Sequence, residues 1–84
     1  MTTTIYVAPG ESQCRVYAIP YAMRPGQAPR DISPQYRKDW LEIALLRPNY
    51  REQRLEVVYI YPPYRIYRDD IANAGAGEFW TVEE

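Results

Sequence analysis

Four of the nine tyrosines in this 84-residue chain are followed at once by arginine, at Tyr36-Arg37, Tyr50-Arg51, Tyr64-Arg65 and Tyr67-Arg68. A phenol brings a broad ring and a hydroxyl at low entropic cost. A guanidinium brings a planar fork of donors that stacks on rings and grips carboxylates or phosphates. Tyr, Trp and Arg dominate binding hot spots, so the pairs point to a contact surface rather than to bond-breaking chemistry. The contact residues expected around a central loop and a double-proline turn are Tyr50, Arg51, Arg54, Tyr64, Arg65 and Tyr67. Tyr6, Tyr17 and Tyr59 are expected instead to be core and strand residues with their hydroxyls at the surface.

The residue types that catalysis needs are sparse. Histidine is absent, which removes the Ser-His-Asp and Cys-His arrangements and the commonest general base at neutral pH. One cysteine without histidine does not make a zinc site, and neither phosphate-binding glycine motif occurs. Glu42 and Glu56 could act as a carboxylate pair only if they shared one cleft. In the strand register set out below they fall on opposite faces, each beside an arginine. Asp69, Asp70, Glu78, Glu83 and Glu84 match no calcium-loop spacing and read as a solvated acidic tail. No enzyme activity, cofactor or metal is expected.

The charges are unevenly placed although the net charge is −1. Arg24 to Arg54 holds seven cations and four anions, whereas Asp69 to Glu84 holds five anions and no cation. The tail is expected to fold back on the basic centre. Within the binding reading, Asp69, Asp70, Glu83 and Glu84 are expected to supply a second contact patch of opposite sign.

The elements that must position these side chains follow from periodicity and punctuation. Leu55 to Tyr61 is β-branched and aromatic and stops at Pro62-Pro63, which predicts a strand. Residues 40–47 admit strand or helix, since Ser33-Pro34 is a helix-start signal and Tyr36, Trp40, Ile43 and Ala44 would share a helical face; strand is preferred. A near-repeat of fourteen residues, P-x-Y-R-x-x-x-L-E from Pro34 and from Pro48 with a third P-x-Y-R at Pro62, favours the same choice.

If both are strands, Pro48 to Gln53 is their loop and Arg47 sits opposite Arg54. Leu41 and Ile43 then meet Ile60 and Val58 on one face, Glu42 lies opposite Tyr59, and Trp40, Ala44 and Leu46 meet Tyr61, Val57 and Leu55 on the other face. Further strands are expected at Thr4–Ala8, at Arg15–Ala22 with Pro20 at an edge or bulge, and at Glu78–Glu83. Residues 24–33 read as a loop, 72–77 as a break, and 64–72 as a short helical turn.

The expected fold is one mainly β domain over residues 1–84, a curled antiparallel sheet or partial barrel of about five strands with at most one short helix. Cys14 should pack rather than react. No leader or apolar span is visible, so the chain is expected in the cytoplasm, the host's if a phage encodes it, with no membrane partner. The expected function is non-enzymatic binding of a protein partner, of the kind that phages and mobile elements use to inhibit a host complex. A single-stranded nucleic-acid module that stacks bases on its tyrosines is the alternative, disfavoured by the acidic balance. A homo-oligomeric structural component, such as a virion protein, is the third.

Overall fold

In a computed structural model that describes all of residues 1–84, the chain folds into five strands: β1 Thr2–Ala8, β2 Cys14–Ile19, β3 Leu41–Asn49, β4 Arg54–Ile60 and β5 Phe79–Glu83. All neighbours are antiparallel and the order across the sheet is β4-β3-β2-β1-β5. The result is the expected mainly β architecture, a five-stranded curled half-barrel.

Its core lies on one face. Ile5 and Val7 of β1 and Cys14, Val16 and Ala18 of β2 are buried there with Ala44 and Leu46 of β3 and Ile60 of β4, because alternate residues of a strand point the same way. β1 lies between β2 and β5 and is buried on both faces, Thr4 and Tyr6 as well as Ile5 and Val7. Cys14 is buried and unpaired.

A helical run covers the core face. Residues Pro62–Tyr67 form a 3₁₀ segment that continues directly into α1, Arg68–Asn73. Two prolines open it without loss, since the first N–H groups of a helix lack internal partners. The 3₁₀ form has three residues per turn and rises ~2.0 Å per residue, so every third side chain eclipses. Tyr61, Tyr64 and Tyr67 therefore share an edge, with ring centroids 6.2 and 6.3 Å apart. Tyr64 and Tyr67 pack on the core, and Ile71 of α1 is fully buried in it.

The opposite face is covered by the connection between β2 and β3. Trp40 lies against Tyr6 and Tyr17, at 5.9 and 5.6 Å between centroids, and its indole N–H donates to the Tyr21 hydroxyl at 3.3 Å. The Arg37 guanidinium sits 4.9 Å from the same ring while its Nε donates to the Ile32 carbonyl. Thr4 donates to the Tyr21 carbonyl at 2.6 Å, and Pro29 is fully buried. Residues 24–33 are, as read, a largely exposed loop, in which Pro29 alone is buried, and the connection, a flap over this face, carries short 3₁₀ turns at Pro29–Asp31 and Pro34–Tyr36. The Ser33-Pro34 start signal produces only the second of these turns, and residues 41–49 are strand.

Several expectations are corrected. The β3–β4 loop is Tyr50–Gln53, not Pro48–Gln53, and Asn49 rather than Arg47 faces Arg54. Pro48 fits inside β3 because the ladder with β2 already ends at Leu46, so no neighbour on that side needs its missing N–H. Leu46 meets Val57 rather than Leu55, and the register shifts between Leu45 and Leu46, so Ala44 meets Ile60 rather than Val57 and Leu45 rather than Glu42 meets Tyr59. Ile43 therefore does not oppose Val58, nor Leu41 Ile60, and Trp40 lies on the flap side, not with Ala44 and Leu46. β2 stops at Ile19, before Pro20. The three P-x-Y-R copies do not share one conformation: the first and third open 3₁₀ turns, whereas the second is a strand end and hairpin loop.

Candidate binding groove at the sheet edge

The hairpin tip is held by its own polar groups. The Asn49 side chain accepts from the Glu52 N–H at 3.0 Å and donates to the Glu56 carboxylate. Gln53 takes a left-handed backbone conformation with φ 54° to close the loop. This geometry leaves Tyr50 82% exposed beside the exposed Arg51 and Arg54.

Across from the tip lies the end of α1 and the residues after it. Ala74 is buried against the core, and Gly77, at φ 89°, donates its N–H to the Val7 carbonyl while Val7 donates back to the Glu78 carbonyl. These bonds dock the small-residue stretch Ala72–Ala76 beside the sheet. Between it and the hairpin runs an open groove of about 1040 Å³. Residues 48–50 and 53–57 form one wall, and Arg68, residues 72–76 and Glu78 the other.

Two of the expected contact residues, Tyr50 and Arg54, line this groove. Arg51 and Arg65 are exposed outside it. Tyr64 and Tyr67 are half-buried against the core, and burial, followed by the charge of the Glu84 carboxylate, pushes the Tyr64 phenol above its ordinary value. The expected tyrosine surface is therefore divided: Tyr50 presents its ring, while Tyr64 and Tyr67 carry the helical run. Tyr6 is buried and Tyr17 half-buried, but Tyr59 is 44% exposed and donates to Glu42 at 3.2 Å.

The ion pairs are Arg15–Glu42 at 3.3 Å and Arg47–Glu56 at 3.9 Å. Glu42 and Glu56 thus each answer an arginine, as expected, but their register partners Tyr17 and Arg47 put them on the same face of the sheet, not on opposite faces. No ion pair joins the acidic tail to the basic centre. Glu83 and Glu84 instead accept from the Thr2 and Thr3 hydroxyls of β1, at 2.6 and 3.2 Å. Asp69 and Asp70 stand exposed in the first turn of α1. No three metal-ligating side chains come together, and no helix is long and apolar enough to cross a membrane.

Sequence reasoning did not select Arg68, Glu78 or the 72–76 stretch as site residues. Arg68 belongs to the fourth Tyr-Arg pair, which was the available signal. The small residues read only as a break, although their lack of bulk is what leaves the groove open.

Fold and site together define a small half-open β-sheet domain with a groove of mixed polar and apolar lining beside its edge strand β4. Compared with known proteins, the chain matches no family model, no curated protein and no solved structure.

Proposed function

We propose that this chain is a non-enzymatic protein-binding module of the size and plainness of inhibitors that phages and mobile elements direct at host complexes. The contact surface comprises the hairpin tip, with Tyr50, Arg51 and Arg54, and the outer side of the helical run, with Arg65 and the ends of Tyr64 and Tyr67. One observation carries the reading: Tyr50 and Arg54 line the same groove as Arg68, so arginines from two separate stretches of the sequence share one concavity with an exposed ring. A buried aromatic or arginine anchor framed by a polar rim is the usual energetic centre of a protein interface.

Stacking of single-stranded nucleic acid needs open ring faces. Here the Tyr6 and Tyr17 rings pack edge-on and tilted against Trp40, and Tyr64 and Tyr67 lie partly under their neighbours, while Tyr36, Tyr50, Tyr59 and Tyr61 remain exposed. The net charge of −1 is what favours a protein partner over a phosphate backbone.

The test is affinity capture from a bacterial lysate, with and without nuclease, using the wild type and an Arg51→Glu, Arg65→Glu double variant. Both arginines are exposed, so each substitution should move stability by no more than ~0.5 kcal/mol. One stoichiometric protein that survives nuclease and is lost with the double variant is the expected result. Capture that disappears with nuclease, or recovery of the chain only as its own oligomer, refutes it.

A further inference from the structure

The groove differs from an ordinary surface cleft in what forms its wall. Arg54, Leu55, Glu56 and Val57 all line it, although Leu55 and Val57 point to the core face and Arg54 and Glu56 to the other. Consecutive residues of a strand can all line one concavity only if that concavity runs along the strand's edge. β4 is the outermost strand, paired with β3 alone, and no backbone hydrogen bond outside the ladder engages residues 54–60. In an antiparallel pair every second residue turns its N–H and C=O away from the partner, so the wall presents a row of unpaired donors and acceptors.

The opposite wall is built largely of small side chains. Its residues 72–76 are alanine, glycine and one asparagine. A strand laid beside β4 would lie ~4.8 Å away and advance ~3.3 Å per residue, about 13 Å along Arg54–Val57. The volume of about 1040 Å³ lies just above the range of roughly 300–1,000 Å³ typical of small-molecule sites, and is large enough for a short peptide segment.

Charge decides the occupant. Arg54 and Arg68 line the groove and make no ion pair. Of the two lining carboxylates, Glu56 is paired with Arg47 and accepts from Asn49, which leaves Glu78 alone. Two free guanidinium forks therefore face one free carboxylate, and forks of this kind take carboxylates bidentately.

We propose that the groove receives an extended, acidic segment of a partner protein, which adds to β4 as a sixth strand through backbone hydrogen bonds and places its carboxylates on Arg54 and Arg68, with the Tyr50 ring beside it. This rests on the protein-binding reading and names the chemistry of the partner.

The probe is a phage-displayed library of random dodecapeptides panned on the full chain. The inference expects enriched peptides that are acidic and proline-poor, and whose binding protects amides within Arg54–Val57 from hydrogen exchange. An Arg54→Glu, Arg68→Glu double variant should weaken them at least about tenfold, each charge-assisted bond being worth ~1.5–3 kcal/mol. Arg24→Glu, in the flap, should leave them unchanged. Enriched peptides that protect other amides, or that ignore the double variant, overturn the groove and leave protein binding standing. Enrichment of basic peptides, or protection of β4 by a second copy of the chain, overturns the acidic occupant. Failure to enrich any peptide counts against both proposals.

Discussion

Two isoleucines in one helical run make opposite predictions that test how this run is attached. Ile71 of α1 is 0% exposed and lies in the core cluster, whereas Ile66 is 82% exposed. Ile71→Ala removes three carbons from a closed site, at ~0.8 kcal/mol each before the cavity term, so the loss should be about 3 kcal/mol and within the ~2–5 kcal/mol seen for such truncations. A domain of this length has only ~4–13 kcal/mol to lose. At ~4–8 °C per kcal/mol for a chain of this size, the melting temperature should fall by about 12–24 °C. Ile66→Ala should change stability by no more than ~0.5 kcal/mol. Urea titration followed by circular dichroism reads both variants. If Ile71→Ala behaves like Ile66→Ala, the helical run does not seal the core face, and the groove that it walls does not exist as described.

The other expectations are more local. Gln53 holds a left-handed backbone at φ 54° that costs a side-chain-bearing residue ~1–2 kcal/mol, so Gln53→Gly should raise stability by about 0.5–1 kcal/mol in urea unfolding. Trp40→Ala removes two ring contacts and a cation–π contact, worth about 2–4 kcal/mol together. Limited proteolysis should then cut within residues 24–39 faster than in the wild type. Tyr64 ionises above the ordinary tyrosine value of 10.0 because it is partly buried and near Glu84, so the folded state holds this proton more tightly than the unfolded chain does. The stability linked to it is complete below pH ~10 and is lost as the pH rises through the higher folded value. A carbon-detected NMR titration should place Tyr64 above the ordinary value of 10.0, and Glu84→Gln should bring it closer to that value.

What the sequence by itself determined was local. The β-branched and aromatic content of Leu55–Tyr61 with its stop at Pro62, and the similar short runs at Thr4–Ala8 and from Arg15, specify strands because such side chains suit a pleated sheet and proline breaks a ladder wherever a neighbour needs its N–H. That β2 ends before Pro20 was not specified. The exposure of Tyr50 followed in the same way from its place in a hairpin loop. Tertiary structure decided the rest. The β3–β4 register depends on a bulge, and on Asn49 reaching Glu52 and Glu56, which no periodicity encodes. Tyr64 and Tyr67 were as eligible for the surface as Tyr50 until the 3₁₀ spacing turned them onto a core assembled from residues far away in the chain. Trp40 was assigned to one face of a hairpin and lies instead on the face that the flap covers. Likewise the groove exists only because β4 is an edge strand and residues 72–76 dock beside it. Strand identity is set by neighbours in sequence, whereas an edge and what faces it are set by which strands remain unpaired once the whole sheet has formed.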